Sequence, residues 1–80
     1  MQGALAASGS YEAALSDAER CIELEPSWAK GHQRKAAALH GLRRYLLAVQ
    51  AYDEALKYEA SAEVLLLGRR QSSFALALEE

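Results

Sequence analysis

The sequence predicts an all-α fold, and three observations carry that prediction. Alanine, leucine and glutamate dominate the 80 residues, while Ile22, Val49 and Val64 are the only β-branched residues and threonine is absent. That bias favours helix and disfavours strand. Apolar residues also recur at helical rather than alternate spacing, as at Leu46, Val49, Tyr52, Ala55 and Leu56. Finally, the few breaking residues divide the chain into segments of helical length.

The elements follow in order. A short helical piece is expected over 2–8, separated by Gly9-Ser10 from a helix near 11–25. Pro26 stops that helix, and Ser27 is placed to cap the next. A third helix is expected over 28–41, with Gly41 and the Arg43-Arg44 stretch forming the turn. A fourth runs near 45–58. A fifth begins at Ser61 or Ala62, with Glu63 in its first turn, and reaches towards Leu78. Gly68 inside it costs about 1 kcal/mol against alanine, so it is expected to mark a close approach rather than a break. Leu39, Val49, Tyr52, Ala55, Leu56 and Leu65 are expected to be mostly buried. The fifth helix should pack on the fourth and third.

Composition narrows the function classes. The chain is 51% apolar and 25% charged, which suits a single small globular domain. One cysteine, Cys21, forms no internal disulfide framework and fits a reducing compartment, so a cytoplasmic location is expected. There is no run of eighteen apolar residues and no basic leader in "MQGALAASG". The net charge of −2 hides an uneven layout. Residues 1–29 hold five acids and one base, 30–44 hold five bases and no acid, and 45–63 hold four acids and one base.

The chain also repeats itself. With a shift of 34, Tyr11 falls on Tyr45, Ala14 on Ala48, Leu5 on Leu39, Cys21 on Ala55, Ile22 on Leu56 and Glu25 on Glu59. Recurrent small and aromatic residues at matching places are what stacked helix pairs require. The residues that carry this period are the "GSYEAA" stretch, Ala14 and Ala48, and Pro26. On them the chain resembles the tetratricopeptide repeat family. Arg43 stands where the family's turn glycine is expected, and Ala60 where its closing proline is expected. The resemblance implies a helical array: a truncated first repeat over 1–28, one full repeat over 29–62 and a capping helix over 63–80. It also implies that the chain is a fragment of a larger domain.

The stretch "WAKGHQRKAAALHG", Trp28 to Gly41, is more specific. Lys30 and Arg34 sit one turn apart on one helix face, an arrangement that costs an isolated helix about 0.2–0.5 kcal/mol. The stretch is similar to the third repeat of the peptide-binding domains of stress-inducible heat-shock co-chaperones, and "KYEASAEVLLLG" continues the similarity. Those adaptors bind the acidic C-terminal tails of heat-shock protein 70 or heat-shock protein 90 through a clamp of lysine, arginine and asparagine side chains. The resemblance implies that Lys30 and Arg34 hold the terminal carboxylate and that Gln33, Ala37 and Gly41 line the groove, Ala37 and Gly41 leaving room for a peptide backbone. A carboxylate between Lys30 and Arg34 would relieve their repulsion. The clamp's other lysine and its asparagines are not present in the chain.

Blander roles suit the neighbouring residues. Lys35 is expected to lay its stem along the next helix with its ammonium outside. His32 reads as a packed histidine, His40 as groove lining or surface, and Cys21 as a small packing residue. Tyr11, Tyr45, Tyr52 and Trp28 read as core and inter-repeat packing. The histidines, eight positions apart with no cysteine or carboxylate on the same helix, give no metal site. No acid–base pair, metal set or phosphate loop can be assembled, so neither an enzyme nor a cofactor is expected. The basic block has no interleaved aromatic on its face, and the chain is acidic overall, which argues against nucleic acid. The competing reading within the fold is a generic repeat scaffold that binds another peptide without a working clamp. Leu5, Leu15 and Ile22, together with spare apolar residues at Leu66, Leu67, Phe74, Leu76 and Leu78, lead to the expectation that the isolated chain self-associates through open N-terminal ends or an exchanged terminal helix.

Overall fold

A computed structural model describes residues 2–79, with side chains from Ser10 onward. Among the described residues there are four helices and no strand: α1 (Gln2–Leu24), α2 (Ala29–Gly41), α3 (Tyr45–Tyr58) and α4 (Glu63–Glu79). The all-α expectation holds, but the count of five segments does not. Gly9 and Ser10 lie inside one continuous α1. A single glycine costs a helix about 1 kcal/mol, and the alanine pairs within one turn on either side, 6–7 and 13–14, are the best helix formers, so the ladder carries through.

The connections are short, and consecutive helices run antiparallel. α2 packs between α1 and α3, and α4 packs on α3 with a narrower contact to α2. Pro26 falls just past α1, where the Glu25 amide donates to the Cys21 carbonyl (2.8 Å). Ser27 does not cap α2. Trp28 takes the N-cap position in an extended conformation, with no side-chain bond to the first turn. The turn instead closes on backbone, the Trp28 amide donating to the Glu25 carbonyl at 3.1 Å.

The end of α2 answers the missing turn glycine. Arg43 adopts the left-handed conformation, φ 65°. Its amide donates to the His40 carbonyl and that of Arg44 to the Leu39 carbonyl, both at 2.9 Å. These are the paired bonds of a Schellman stop, with arginine where glycine usually sits.

The core is built from Ala29, Ala36, Leu39, Ala48, Ala51, Tyr52, Ala55 and Leu65. Alanines let the helix axes approach closely, and Tyr52 and Leu65 fill the remaining space between α3 and α4. Of the expected core, Val49 and Leu56 are only half-buried. Tyr11 and Trp28 are also more open than core residues, at 39% and 40% exposure. Leu5 lies outside the described side chains, while Leu15 and Ile22 are half-buried. Gly68 does mark a close approach: α4 continues through it, and the Tyr52 ring fills the space a Cβ would take.

Candidate functional site

The outward face of α2 places Lys30, Gln33, Arg34, Ala37 and Gly41 in one stripe. Lys30, Arg34 and Ala37 are exposed, and Gln33 and Gly41 are half-buried. Four residues of helix separate Lys30 from Arg34 by about 6 Å along the axis. Lys30 and Gln33 line a depression of about 500 Å³ shared with Trp28, Tyr58, Glu59 and Val64. Arg34 and Ala37 line a smaller one, about 280 Å³, against Tyr11, Ala14, Asp17 and Cys21 of α1. Gly41 is not left open, because the Tyr11 ring occupies the space beyond its Cα.

The electrostatics keep this stripe positive. Lys30 stands in the first turn of α2, which has no acid of its own, so its charge adds to the positive end of the helix dipole. The acids of α3 are engaged elsewhere. Glu54 accepts a 2.9 Å bond from Lys57, which holds its carboxyl below the usual range and raises the Lys57 ammonium. Asp53 pairs with Arg69 of α4, and Glu12 of α1 lies 3.8 Å from Arg44. Among the described residues neither Lys30 nor Arg34 takes part in an ion pair. Two cations thus stand one turn apart on an exposed face, Lys30 sharing its depression with Glu59 and Arg34 sharing its own with Asp17, neither within ion-pair distance.

The histidines have structural roles. His32 is buried, bonded through Nε2 to the Pro26 carbonyl at 2.7 Å and stacked on Tyr58. His40 is more embedded than groove lining. Its Nδ1 meets the Ser72 hydroxyl at 2.8 Å, its ring edge meets Tyr45, and Ser72 is fully buried. This pair ties α2 to α4 and was not foreseen from sequence. Lys35 and Cys21 are half-buried. Among the described residues no cluster of three or more His, Cys, Asp or Glu could hold a metal ion, and no helix is long and apolar enough to cross a membrane. Trp28 is not a core residue: its ring lies beside the stripe, with the Arg34 guanidinium carbon 5.4 Å from its centroid.

No protein-family profile matches the chain. Curated relatives do. Over 58 residues, 72% of this chain, it is 53% identical to the heat shock protein sti1 homolog of Schizosaccharomyces pombe. Over 63 residues, 79% of this chain, it is 40% identical to the Hsp70-Hsp90 organizing protein of Triticum aestivum and 44% identical to Hsp70-Hsp90 organizing protein 3 of Arabidopsis thaliana. The matched stretch spans about a tenth of each relative's length: 10% of the first and 11% of the other two. The chain is thus similar to one segment of the Hsp70-Hsp90 organizing proteins, and its all-helical array is tetratricopeptide-like.

Proposed function

We propose that this chain is part of a larger peptide-recognition domain in a cytoplasmic co-chaperone adaptor. It reads the acidic C-terminal tail of heat-shock protein 70 or heat-shock protein 90, with Lys30 and Arg34 holding the terminal carboxylate and Gln33 and Ala37 flanking the peptide. The observation that carries this reading is the Lys30–Arg34 pair on an exposed face of α2, with neither cation in an ion pair among the described residues. The relatives' names, which couple both chaperones to an organizing role, supply the partner class.

The chain alone should bind weakly. Two charge-assisted contacts supply about 3–6 kcal/mol gross, whereas ordering a peptide and removing its free translation cost about 4 kcal/mol or more. A dissociation constant of millimolar or weaker follows, since millimolar binding needs about −4 kcal/mol and micromolar about −8 kcal/mol. The test is a titration followed by NMR, using a short acidic peptide with a free C-terminal carboxylate and the same peptide amidated. The free acid should shift resonances around Lys30 and Arg34. Amidation, or Arg34→Ala, should weaken binding about tenfold or more. If neither change alters affinity, the generic scaffold without a working clamp is the correct reading.

A further inference from the structure

We propose that Trp28 is a positioning residue for Arg34, holding the guanidinium over the indole ring with its donors free for an anion rather than paired with Asp17; this rests on the clamp reading above. Trp28 lies at the N-cap of α2, and its extended backbone folds the indole back along the first turn. The ring packs over the first turn of the helix, 3.6 Å from where a Cβ at Gly31 would stand, an ordinary packing distance. The ring lines the depression that also holds Lys30 and Gln33, and it carries Arg34 on its face with Cζ 5.4 Å from the centroid.

Arginine has two chemically different surfaces. Its planar face stacks on aromatic rings, while all five N–H donors lie in the plane and point outward. Stacking on Trp28 therefore restricts the side chain without consuming any donor that a carboxylate needs. The competitor is Asp17 on α1, which lines the same small depression as Arg34. A guanidinium that paired with Asp17 would be neutralised by its own chain. The contact with Trp28 opposes that pairing and leaves the donors of Arg34 available to an anion.

The chain has a single tryptophan, so the pair can be observed directly. In the free protein the side-chain protons of Arg34 should be shifted upfield by the indole ring current, and Arg34→Ala should change the Trp28 emission. Random-coil shifts for Arg34 in the folded wild type would overturn the proposal without any variant. With a glutamate-rich peptide ending in a free carboxylate as probe, Trp28→Leu should weaken binding about two- to fivefold, whereas Trp28→Phe should keep most of the affinity. Adding Asp17→Asn to Trp28→Leu should restore binding, a rescue that a merely structural role for Trp28 would not produce. If Arg34→Ala weakens binding but Trp28→Leu does not, the positioning role is wrong and the clamp stands. If Arg34→Ala has no effect, the clamp itself fails.

Discussion

The ring of Tyr52 occupies the space that a side chain at Gly68 would need. α3 and α4 therefore meet at the distance set by one aromatic ring against bare backbone. Tyr52 is only 8% exposed and has nowhere to swing. Gly68→Ala gains about 1 kcal/mol of helix propensity but forces an overpacked core that costs about 1–3 kcal/mol. The net result should be a loss of up to about 2 kcal/mol, read as a melting temperature lower by roughly 4–8 °C per kcal/mol.

Gly31 and Gly41 should behave differently. A Cβ at Gly31 meets only ordinary contacts, the nearest being Ile22 at 3.4 Å. Gly31→Ala should therefore stabilise by up to about 1 kcal/mol. At Gly41 the obstacle is the Tyr11 ring, which is 39% exposed and can turn outward. Gly41→Ala should cost less than Gly68→Ala. Urea melts of the three variants, ranked against wild type, check the order.

Arg43→Gly should raise stability by about 0.5–1 kcal/mol. The left-handed conformation costs a residue with a Cβ roughly 1–2 kcal/mol, and glycine returns part of that through the greater freedom of its unfolded chain. An unchanged or lower denaturation midpoint would show that the Arg43 side chain contributes more than its backbone costs.

Burial raises the Tyr52 phenol above its ordinary value of 10.0. The folded protein then resists ionisation at a pH where the unfolded chain permits it. The stability associated with the neutral phenol is fully present below about pH 10 and is lost as pH rises through the folded value. Tyr52→Phe should flatten the fall in stability above about pH 10 and remove the phenolate absorbance that rises latest. A variant with the wild-type alkaline profile would contradict this.

The outer face of α4 exposes Leu66, Leu67, Phe74 and Leu78, at 48%, 52%, 66% and 71%. An array end usually needs a polar outer face. The isolated chain is therefore expected to associate with a second copy through this helix. Light scattering should give a mass that climbs with concentration above 8.7 kDa, and Phe74→Glu should return it to that of one chain. A constant single-chain mass at high concentration would count against the expectation.

Much of the architecture was legible because it rests on local signals. Pro26 and the Arg43-Arg44 turn mark chain reversals whatever the tertiary contacts, and the alanines of α2 and α3 recur at the spacing that buries them. The misreadings came where a local signal was weak or ambiguous. Gly9-Ser10 reads as a break by type alone, yet helical neighbours bridge it. Trp28 reads as core by hydrophobicity, although the helix N-cap turns it outward over Arg34. The His40–Ser72 bond spans 32 positions and leaves no local trace. One signal was available: Ser72 lies seven residues after buried Leu65, on the same face of α4. For the site, spacing alone placed Lys30 and Arg34 on one face, but their proposed role came from resemblance, since a solvated face shows the same pattern.

The unpaired charges of α2 also bear on timing. Two unpaired cations attract an acidic segment before any contact forms, over a range of about 30 Å at 0.01 M salt but only about 8 Å at 0.15 M. Arrival should therefore be fast and strongly slowed by salt, while departure depends on the few contacts made. With arrival near 10⁷ M⁻¹s⁻¹ and an affinity of millimolar or weaker, a bound tail would stay for about 0.1 ms or less. Encounters that brief suit a segment that samples tails and passes them on, and longer residence would have to come from additional contacts beyond this helix face.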